Sequence, residues 1–169
     1  MGKAIILMGV SGSGKTTIGK HLSRRTGLPF FEGDNFHSQD NVEKMSSGIP
    51  LDDEDRIPWL TTLHKLIRTH LKYDRSLILS SSALKIKYRN ILRGDLGNQV
   101  TFVYLKGNYT LIQQRMKERQ DHYMGSGMLR SQFAALEEPQ KEEALVININ
   151  QPIPAIVEKI VNKLDLSQL

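Results

Sequence analysis

The chain has 169 residues, which suits one domain with an adequate core, and its 39% hydrophobic and 24% charged residues are ordinary for a globular protein. It has no cysteine, which excludes a disulfide framework and a thiolate metal site. Its apolar runs have the length of strands and are too short to span a bilayer, and its N-terminus does not resemble a signal peptide. We therefore expect a cytoplasmic protein without a membrane partner.

The balance of charge is basic, with 23 Lys and Arg against 18 Asp and Glu. A net charge of +5 favours anionic partners, such as nucleic acid or phosphorylated small molecules. The basic residues are scattered, so a solvated basic surface and a pocket for anionic substrates are both open interpretations. A non-catalytic nucleotide- or nucleic-acid-binding module is the rival class of protein. We expect no nucleic acid partner, because basic and aromatic residues do not cluster.

Short apolar runs alternate with helical patterns along the chain. The runs predict strands over residues 4–8, 28–32, 77–79, 100–105 and 145–147. Apolar residues at helical spacing predict helices over residues 15–26, 38–47, 52–73, 85–93, 110–119 and 128–136, and a last one with its apolar stripe over 156–164. This alternation predicts one α/β domain over 1–169, with a five-stranded, mainly parallel sheet and helices on both faces. The polar stretch 120–127 is interpreted as a mobile connection within a helical lid at about 120–136.

The sequence directly after the first predicted strand fits the pattern G-x-x-x-x-G-K-[ST] in full. The matching residues, which we call the phosphate loop, are Gly9, Val10, Ser11, Gly12, Ser13, Gly14, Lys15 and Thr16. Glycines let several backbone N–H groups face one anion, and the following helix directs its positive N-terminus at that anion. Lys15 reaches the β- and γ-phosphates, and the Thr16 hydroxyl ligates Mg²⁺. The pattern predicts an ATP or GTP site, which includes Thr17, but it does not distinguish a kinase from an NTPase.

Polar residues at the ends of the other strands are candidates for the acceptor side, because ligands bind outside the C-terminal ends of parallel strands. Asp34 follows the second strand, where a carboxylate can orient a hydroxyl and accept its proton or help to hold magnesium; a turn Asp is the alternative. His37 either binds substrate or caps a turn. The third strand ends in serines, including Ser82, rather than in the acid of a motor NTPase, and their hydroxyls suit a polyol.

Arginines supply candidate contacts to anions. The planar guanidinium of Arg56 can donate two hydrogen bonds to one carboxylate, although an ion pair with the neighbouring acids is equally compatible with the sequence. Arg115, Arg119 and Arg130 flank the glycine-containing connection, where a lid arginine would neutralise the transferring phosphoryl group and exclude water. Arg119 is the first choice for that catalytic role. Trp59 is interpreted as a core residue.

Several blocks of sequence resemble bacterial-type gluconokinases. These blocks are 8–16 as MGVSGSGKT, 33–37 as GDNFH, 41–59 as NVEKMSSGIPLDDEDRIPW, 82–93 as SALKIKYRNILR and 128–139 as MLRSQFAALEEP. They occur in the order of that family and span nearly the whole chain. The sequence departs from the family pattern at Ser38, where many members have proline, and at Ser81, where cysteine is common.

The resemblance implies a nucleoside-monophosphate-kinase-like P-loop fold, a requirement for Mg²⁺ with ATP, phosphorylation of D-gluconate at its terminal hydroxyl, and a homodimer. It implies phosphate and metal roles for Lys15 and Thr16. The acceptor-site residues that it implies are Asp34, Arg56, His37 and Lys85. Gln132, after the lid, would reach the acceptor or nucleotide, and Gln151 and Pro152 would lie where such folds pass the adenine base. The nearest rival is a kinase of the same plan for a shikimate-like acid or a nucleotide.

Overall fold

The computed structural model describes residues 1–118 and 126–168. Within them, five parallel strands form one sheet in the order β2-β3-β1-β4-β5. The strands are β1 (Ala4–Met8), β2 (Phe30–Glu32), β3 (Leu77–Ser80), β4 (Val100–Lys106) and β5 (Ala144–Asn148). The prediction of a mainly parallel, five-stranded α/β sheet is confirmed. β2 begins two residues later than predicted, at Phe30.

Helices connect the strands and close the domain. They are α1 (Lys15–Thr26), α2 (Gln39–Ser46), α3 (Asp53–Lys72), α4 (Ile86–Arg93), α5 (Tyr109–Glu118), α6 (Ser126–Ala135) and α7 (Ile153–Lys163). Short 3₁₀ helices lie at Gly33–Phe36, Gly97–Gln99 and Leu166–Gln168. The predicted helices are all present with small shifts of their ends, and the segment after β2 that carries Asp34 is the first of these 3₁₀ turns. None of the described helices is long and apolar enough to cross a membrane.

Two apolar clusters lie on opposite faces of the sheet, because successive side chains of a strand point to opposite sides. Ile5 and Leu7 of β1 pack in the first cluster, against α1, α5 and α7. Ala4, Ile6 and Met8 pack in the second cluster, against α3 and α4. Both faces of the sheet are therefore covered, as its uninterrupted apolar strands predict.

Helix starts and stops follow local sequence signals. Gly27 ends α1 in the left-handed conformation, and its N–H donates to the carbonyl of Ser23. Asp52 begins α3 with a reciprocal capping box to Asp55. Ser38 caps α2 through its hydroxyl, which accepts from the N–H of Asn41, so this position begins its helix without the proline that is common in gluconokinases.

Gly33 brings the end of β2 close to β3. A Cβ atom at this position would lie 2.1 Å from the carbonyl oxygen of Ser80, a distance that backbone atoms do not tolerate. The Gly33 carbonyl accepts a hydrogen bond of 2.8 Å from Nε1 of Trp59, which is 6% exposed, in agreement with its predicted place in the core. These contacts fix the turn that carries Asp34.

Candidate active site

The phosphate loop wraps around the side chain of its own lysine. Nζ of Lys15 donates hydrogen bonds of 2.8 Å to the Gly9 carbonyl and 3.0 Å to the Val10 carbonyl. Gly9, Gly12 and Gly14 have φ values of 147°, 81° and 99°, which favour glycine. The loop is therefore shaped for an anion, with the N-terminus of α1 directed at it.

Burial of the Lys15 ammonium lowers its pKa to about 8, although the carboxylates of Asp34 and Glu32 act in the opposite direction. Both carboxylates come from the C-terminal end of β2, so the tertiary structure places two acids near the phosphate-binding lysine. The triphosphate of a bound nucleotide would add negative charge here and favour the protonated ammonium.

Glu32 is a site residue that the sequence analysis missed. The hydroxyl of Thr16 donates to the Glu32 carboxylate, with both oxygens at 2.8 Å, and the Ser80 hydroxyl donates to Oε1 at 2.8 Å. The Gly33 N–H donates to the Ser80 hydroxyl at 3.2 Å, which orients this network. β3 ends in serine, and the acid that reaches Thr16 stands at the end of β2. The sequence signal that could have identified Glu32 was its position at the end of the second strand, two residues before Asp34.

Asp34 lies on the exposed side of the turn after β2. The pKa of His37 is lowered, mainly by burial; the charge of Asp34 acts to raise it, and that of Arg56 to lower it. His37 therefore lies within the electrostatic reach of both residues. Asp34 thus acts on Lys15 and His37, and Arg56 acts on His37, so electrostatic interactions link these four residues beside the phosphate loop.

The His37 imidazole is held in place from two sides. Its ring stacks on the indole of Trp59, with centroids 4.0 Å apart and planes at 20°. Its Nδ1 lies 3.2 Å from the amide nitrogen of Asn41, which also donates to the carbonyl of Asp55. Because an amide nitrogen only donates, Nδ1 accepts, and the proton of the neutral ring is on Nε2. His37 can therefore donate one hydrogen bond from Nε2.

Arg56 and Lys85 meet at Tyr88. Nη1 of Arg56 donates to the Tyr88 hydroxyl at 3.2 Å, and Nζ of Lys85 lies 5.8 Å from the centre of the Tyr88 ring. Across 1–118 and 126–168, neither cation forms an ion pair with a carboxylate. The acids near Arg56 in sequence therefore do not neutralise it, contrary to the alternative that the sequence left open.

A cavity of about 400 Å³ opens beside the phosphate loop on the side of α7. Its lining includes Gly12, Ser13, Gly14, Thr17, Ile18, Arg115, Glu118, Gln151, Pro152, Ile153 and Ile156. Nη2 of Arg115 donates to the Ile149 carbonyl at 2.8 Å, and Nε2 of Gln151 donates to the Asn148 carbonyl at 2.6 Å. The predicted nucleotide residues outside the loop are thus gathered at one cavity whose apolar wall suits a base.

Gln132, from α6, contacts the phosphate loop directly. Its Oε1 accepts from the Ser11 N–H at 2.7 Å, and its Nε2 donates to the Ser11 hydroxyl at 3.1 Å. The carbonyl of Ser82 accepts from the Gly9 N–H at 3.2 Å, so its backbone supports the start of the loop. Arg130 is exposed on α6. Arg119 and part of the predicted lid lie outside the described residues.

The comparisons with known proteins identify the family. The thermosensitive gluconokinase of Escherichia coli (strain K12) is 43% identical over 160 residues, which cover 94% of this chain and 85% of that protein. The chain belongs to the gluconokinase family. A gluconokinase of Arabidopsis thaliana is 37% identical over 180 residues, covering 97% of this chain and 95% of that protein. The family relationship thus extends over nearly the full length.

The fold and the wider family agree with this assignment. A gluconokinase structure from Sinorhizobium meliloti 1021 superposes with a TM-score of 0.87 at 38% identity, over 96% of this chain and 91% of that chain. The family model described as shikimate kinase matches residues 11–165. The protein is therefore a P-loop kinase, an enzyme that transfers a phosphoryl group.

Proposed function

We propose that the protein transfers the γ-phosphoryl group of ATP to the terminal hydroxyl of D-gluconate, giving 6-phospho-D-gluconate and ADP. The observation that carries this proposal is that the charge of Asp34 acts on both the phosphate-binding Lys15 and His37, and that the charge of Arg56 also acts on His37. An acceptor hydroxyl near Asp34 would be next to the transferred phosphoryl group. Arg56 and Lys85, which form no ion pair with the residues that the structure describes, suit the carboxylate of a sugar acid.

The nucleotide side of the mechanism depends mainly on positioning. Backbone N–H groups of the phosphate loop and Nζ of Lys15 would hold the β- and γ-phosphates, and the cavity beside Thr17 and Pro152 would take the base. Arg115, Arg119 and Gln151 are proposed to complete this side, with Arg119 closing over the γ-phosphate. Much of the rate enhancement would come from charge stabilisation in a site without water.

Magnesium is the proposed cofactor, and the residues present fit it. The Thr16 hydroxyl donates its hydrogen bond to the Glu32 carboxylate, so lone pairs of the hydroxyl oxygen can face a hard cation, and the carboxylate can accept hydrogen bonds from water bound to the ion. Among the described residues, no three His, Asp or Glu side chains converge on one point, so phosphates and water would complete the coordination. Bound Mg²⁺ would neutralise charge on the phosphates.

Glu32→Gln is expected to raise the Mg²⁺ concentration for half-maximal activity by about tenfold, the usual range for groups that support a metal ligand. The neutral amide keeps the size of the side chain but removes its charge. Titration of activity with Mg²⁺ at saturating ATP measures the effect. Glu43→Gln, an exposed change on α2, is the matched control. An unchanged Mg²⁺ requirement in Glu32→Gln would remove Glu32 from the metal site.

On the acceptor side, Asp34 is proposed to orient the terminal hydroxyl and to accept its proton. Arg56 and Lys85 would bind the carboxylate, while Nε2 of His37 and the Ser82 hydroxyl would donate to hydroxyls of the polyol chain. Gln132, which contacts Ser11 of the phosphate loop, is proposed to reach the acceptor or nucleotide. These roles place the carboxylate far from the reacting end of an extended acceptor.

Arg56→Ala is expected to raise KM for gluconate by about ten- to a hundredfold, the loss typical of hydrogen bonds to a charged group, while KM for ATP stays near its original value. Initial rates at varied gluconate measure this. Arg68→Ala, on the outer side of the same helix, is the control and is expected to leave both constants unchanged. A normal KM for gluconate in Arg56→Ala would assign the carboxylate contact to other residues.

ADP release with Mg·ATP, measured with D-gluconate, shikimate, glucose or AMP, tests the proposed function. Strong stimulation by gluconate alone is the expected result. Shikimate is included because the matched family model is described as shikimate kinase. Stimulation by another acceptor would retain the kinase but overturn the choice of substrate, and ATP binding without any stimulation would favour a non-catalytic module.

A homodimer in the cytoplasm is the proposed state of the protein. Its support is the resemblance to gluconokinases and, for the compartment, a composition without cysteine. Light scattering after size-exclusion chromatography would give about twice the 19.2 kDa chain mass for a dimer. The chain mass itself would contradict the proposed dimer.

A further inference from the structure

Three cationic side chains surround the ring of Tyr88, a residue of α4. Its side chain is 5% exposed, and it packs in the second apolar cluster. Around its ring lie Arg56 at 5.6 Å, Lys85 at 5.8 Å and Lys87 at 5.9 Å from the ring centre. The negative face of an aromatic ring attracts cations, so this buried ring offsets part of their mutual repulsion.

The Tyr88 hydroxyl has a defined direction. It donates a hydrogen bond of 2.6 Å to Oδ1 of Asp53, at the start of α3, and accepts the hydrogen bond of 3.2 Å from Nη1 of Arg56. Because the proton is directed at Asp53, the oxygen lone pairs are directed at the guanidinium. The hydroxyl therefore fixes one end of Arg56, and no hydrogen bond within residues 1–118 and 126–168 occupies Nη2 or Nε, which can bind a ligand.

Asp53 forms an ion pair with one of the three cations around the Tyr88 ring. Its Oδ2 pairs with Lys87, so Lys87 is neutralised within the protein. The hydrogen bonds from Lys87 and Tyr88 lower the pKa of the Asp53 carboxyl to about 2, so this pairing persists at neutral pH. Arg56 and Lys85 have no such carboxylate partner in the described part of the chain. The cluster therefore presents two cations to a ligand.

We propose that Tyr88 is the positioning residue for recognition of the acceptor carboxylate: its hydroxyl orients Arg56, and its ring keeps Arg56 and Lys85 on one platform for a single carboxylate group. This inference rests on the proposed function. It assigns a role to Tyr88, which takes no part in the proposed phosphoryl transfer itself. Tyr88 acts through Arg56, since the Asp53–Tyr88–Arg56 chain of hydrogen bonds ends at the guanidinium. Preorganisation of this kind reduces the ordering that binding requires.

Tyr88→Phe tests the role of the hydroxyl, because it keeps the ring and its packing. We expect KM for gluconate to rise by about five- to tenfold, the upper part of the range for one ordinary hydrogen bond, because Arg56 itself remains; kcat and KM for ATP are expected to change less than about twofold. A residue that only supports the fold would lower the melting temperature without this separation of the constants. Tyr73→Phe is the matched control: Tyr73 also has two cations near its ring, Lys72 and Arg75, but lies at the far end of α3.

A double-mutant cycle tests the connection through Arg56. If Tyr88 acts by orienting Arg56, Tyr88→Phe will have little further effect on KM for gluconate in an Arg56→Ala background. Additive effects, or an unchanged KM in Tyr88→Phe alone, would overturn the inference even when the wild-type protein phosphorylates gluconate. Absence of gluconate-dependent ADP release in the wild type would instead overturn the proposed function, and this inference with it.

Discussion

Lys15→Ala is expected to reduce turnover by about a thousandfold, the upper range for removal of one preorganised group that stabilises transition-state charge. The ammonium is held inside the phosphate loop by the carbonyls of Gly9 and Val10. Alanine removes this cation from the phosphates and leaves the two carbonyls without their donor. Single-turnover measurements at saturating ATP and gluconate separate this chemical defect from weaker binding.

The lowered pKa of Lys15 predicts how ATP binding depends on pH. Burial lowers the Lys15 pKa to about 8, so the ligand-free protein loses this proton as the pH rises through 8. Since the phosphates favour the charged ammonium, binding above that pH requires uptake of a proton, and ATP affinity is expected to fall between pH 7 and 9. Lys15→Ala should flatten this dependence.

Lys20→Ala is the control for both measurements, because Lys20 is exposed on the same helix. It should retain the turnover and the pH dependence of the wild type. Near-normal turnover in Lys15→Ala would refute the phosphate role of Lys15, and a wild-type pH profile in that variant would assign the titration to another group.

Asp34→Asn is expected to lower kcat by about a hundredfold, the lower range for general acid–base catalysis, with little change in ATP affinity. The amide preserves the shape of the side chain but is a poor proton acceptor. The phosphate loop, Thr16 and Glu32 remain intact, so the nucleotide should bind as before. Initial rates and calorimetric titration with an ATP analogue measure the two quantities separately.

Asp40→Asn, at an exposed position on α2, is the matched control for Asp34→Asn and should leave kcat and ATP affinity unchanged. A collapse of ATP binding in Asp34→Asn would mean that Asp34 serves mainly the metal. A normal kcat would mean that phosphoryl transfer to this acceptor needs no proton acceptor at Asp34, as a loose transition state permits.

The sequence alone determined the features whose causes are local. The phosphate loop is contiguous, so its glycines, Lys15 and Thr16 were all identifiable from one pattern. The apolar runs predicted a sheet with helices on both faces, and the helical spacing of apolar residues predicted the helices, because each pattern depends on neighbours within a few residues.

Only the tertiary structure decided which distant side chains meet. Glu32 reaches Thr16 because the parallel sheet brings the C-terminal ends of β1 and β2 to the same edge. Asp53 and Tyr88 are 35 positions apart and come into contact because α3 packs on α4. Asp53 stands in a run of four acidic residues and Tyr88 in a basic amphipathic helix, so neither differs from its neighbours in the sequence. Long-range packing, which no local pattern encodes, gives these residues their roles.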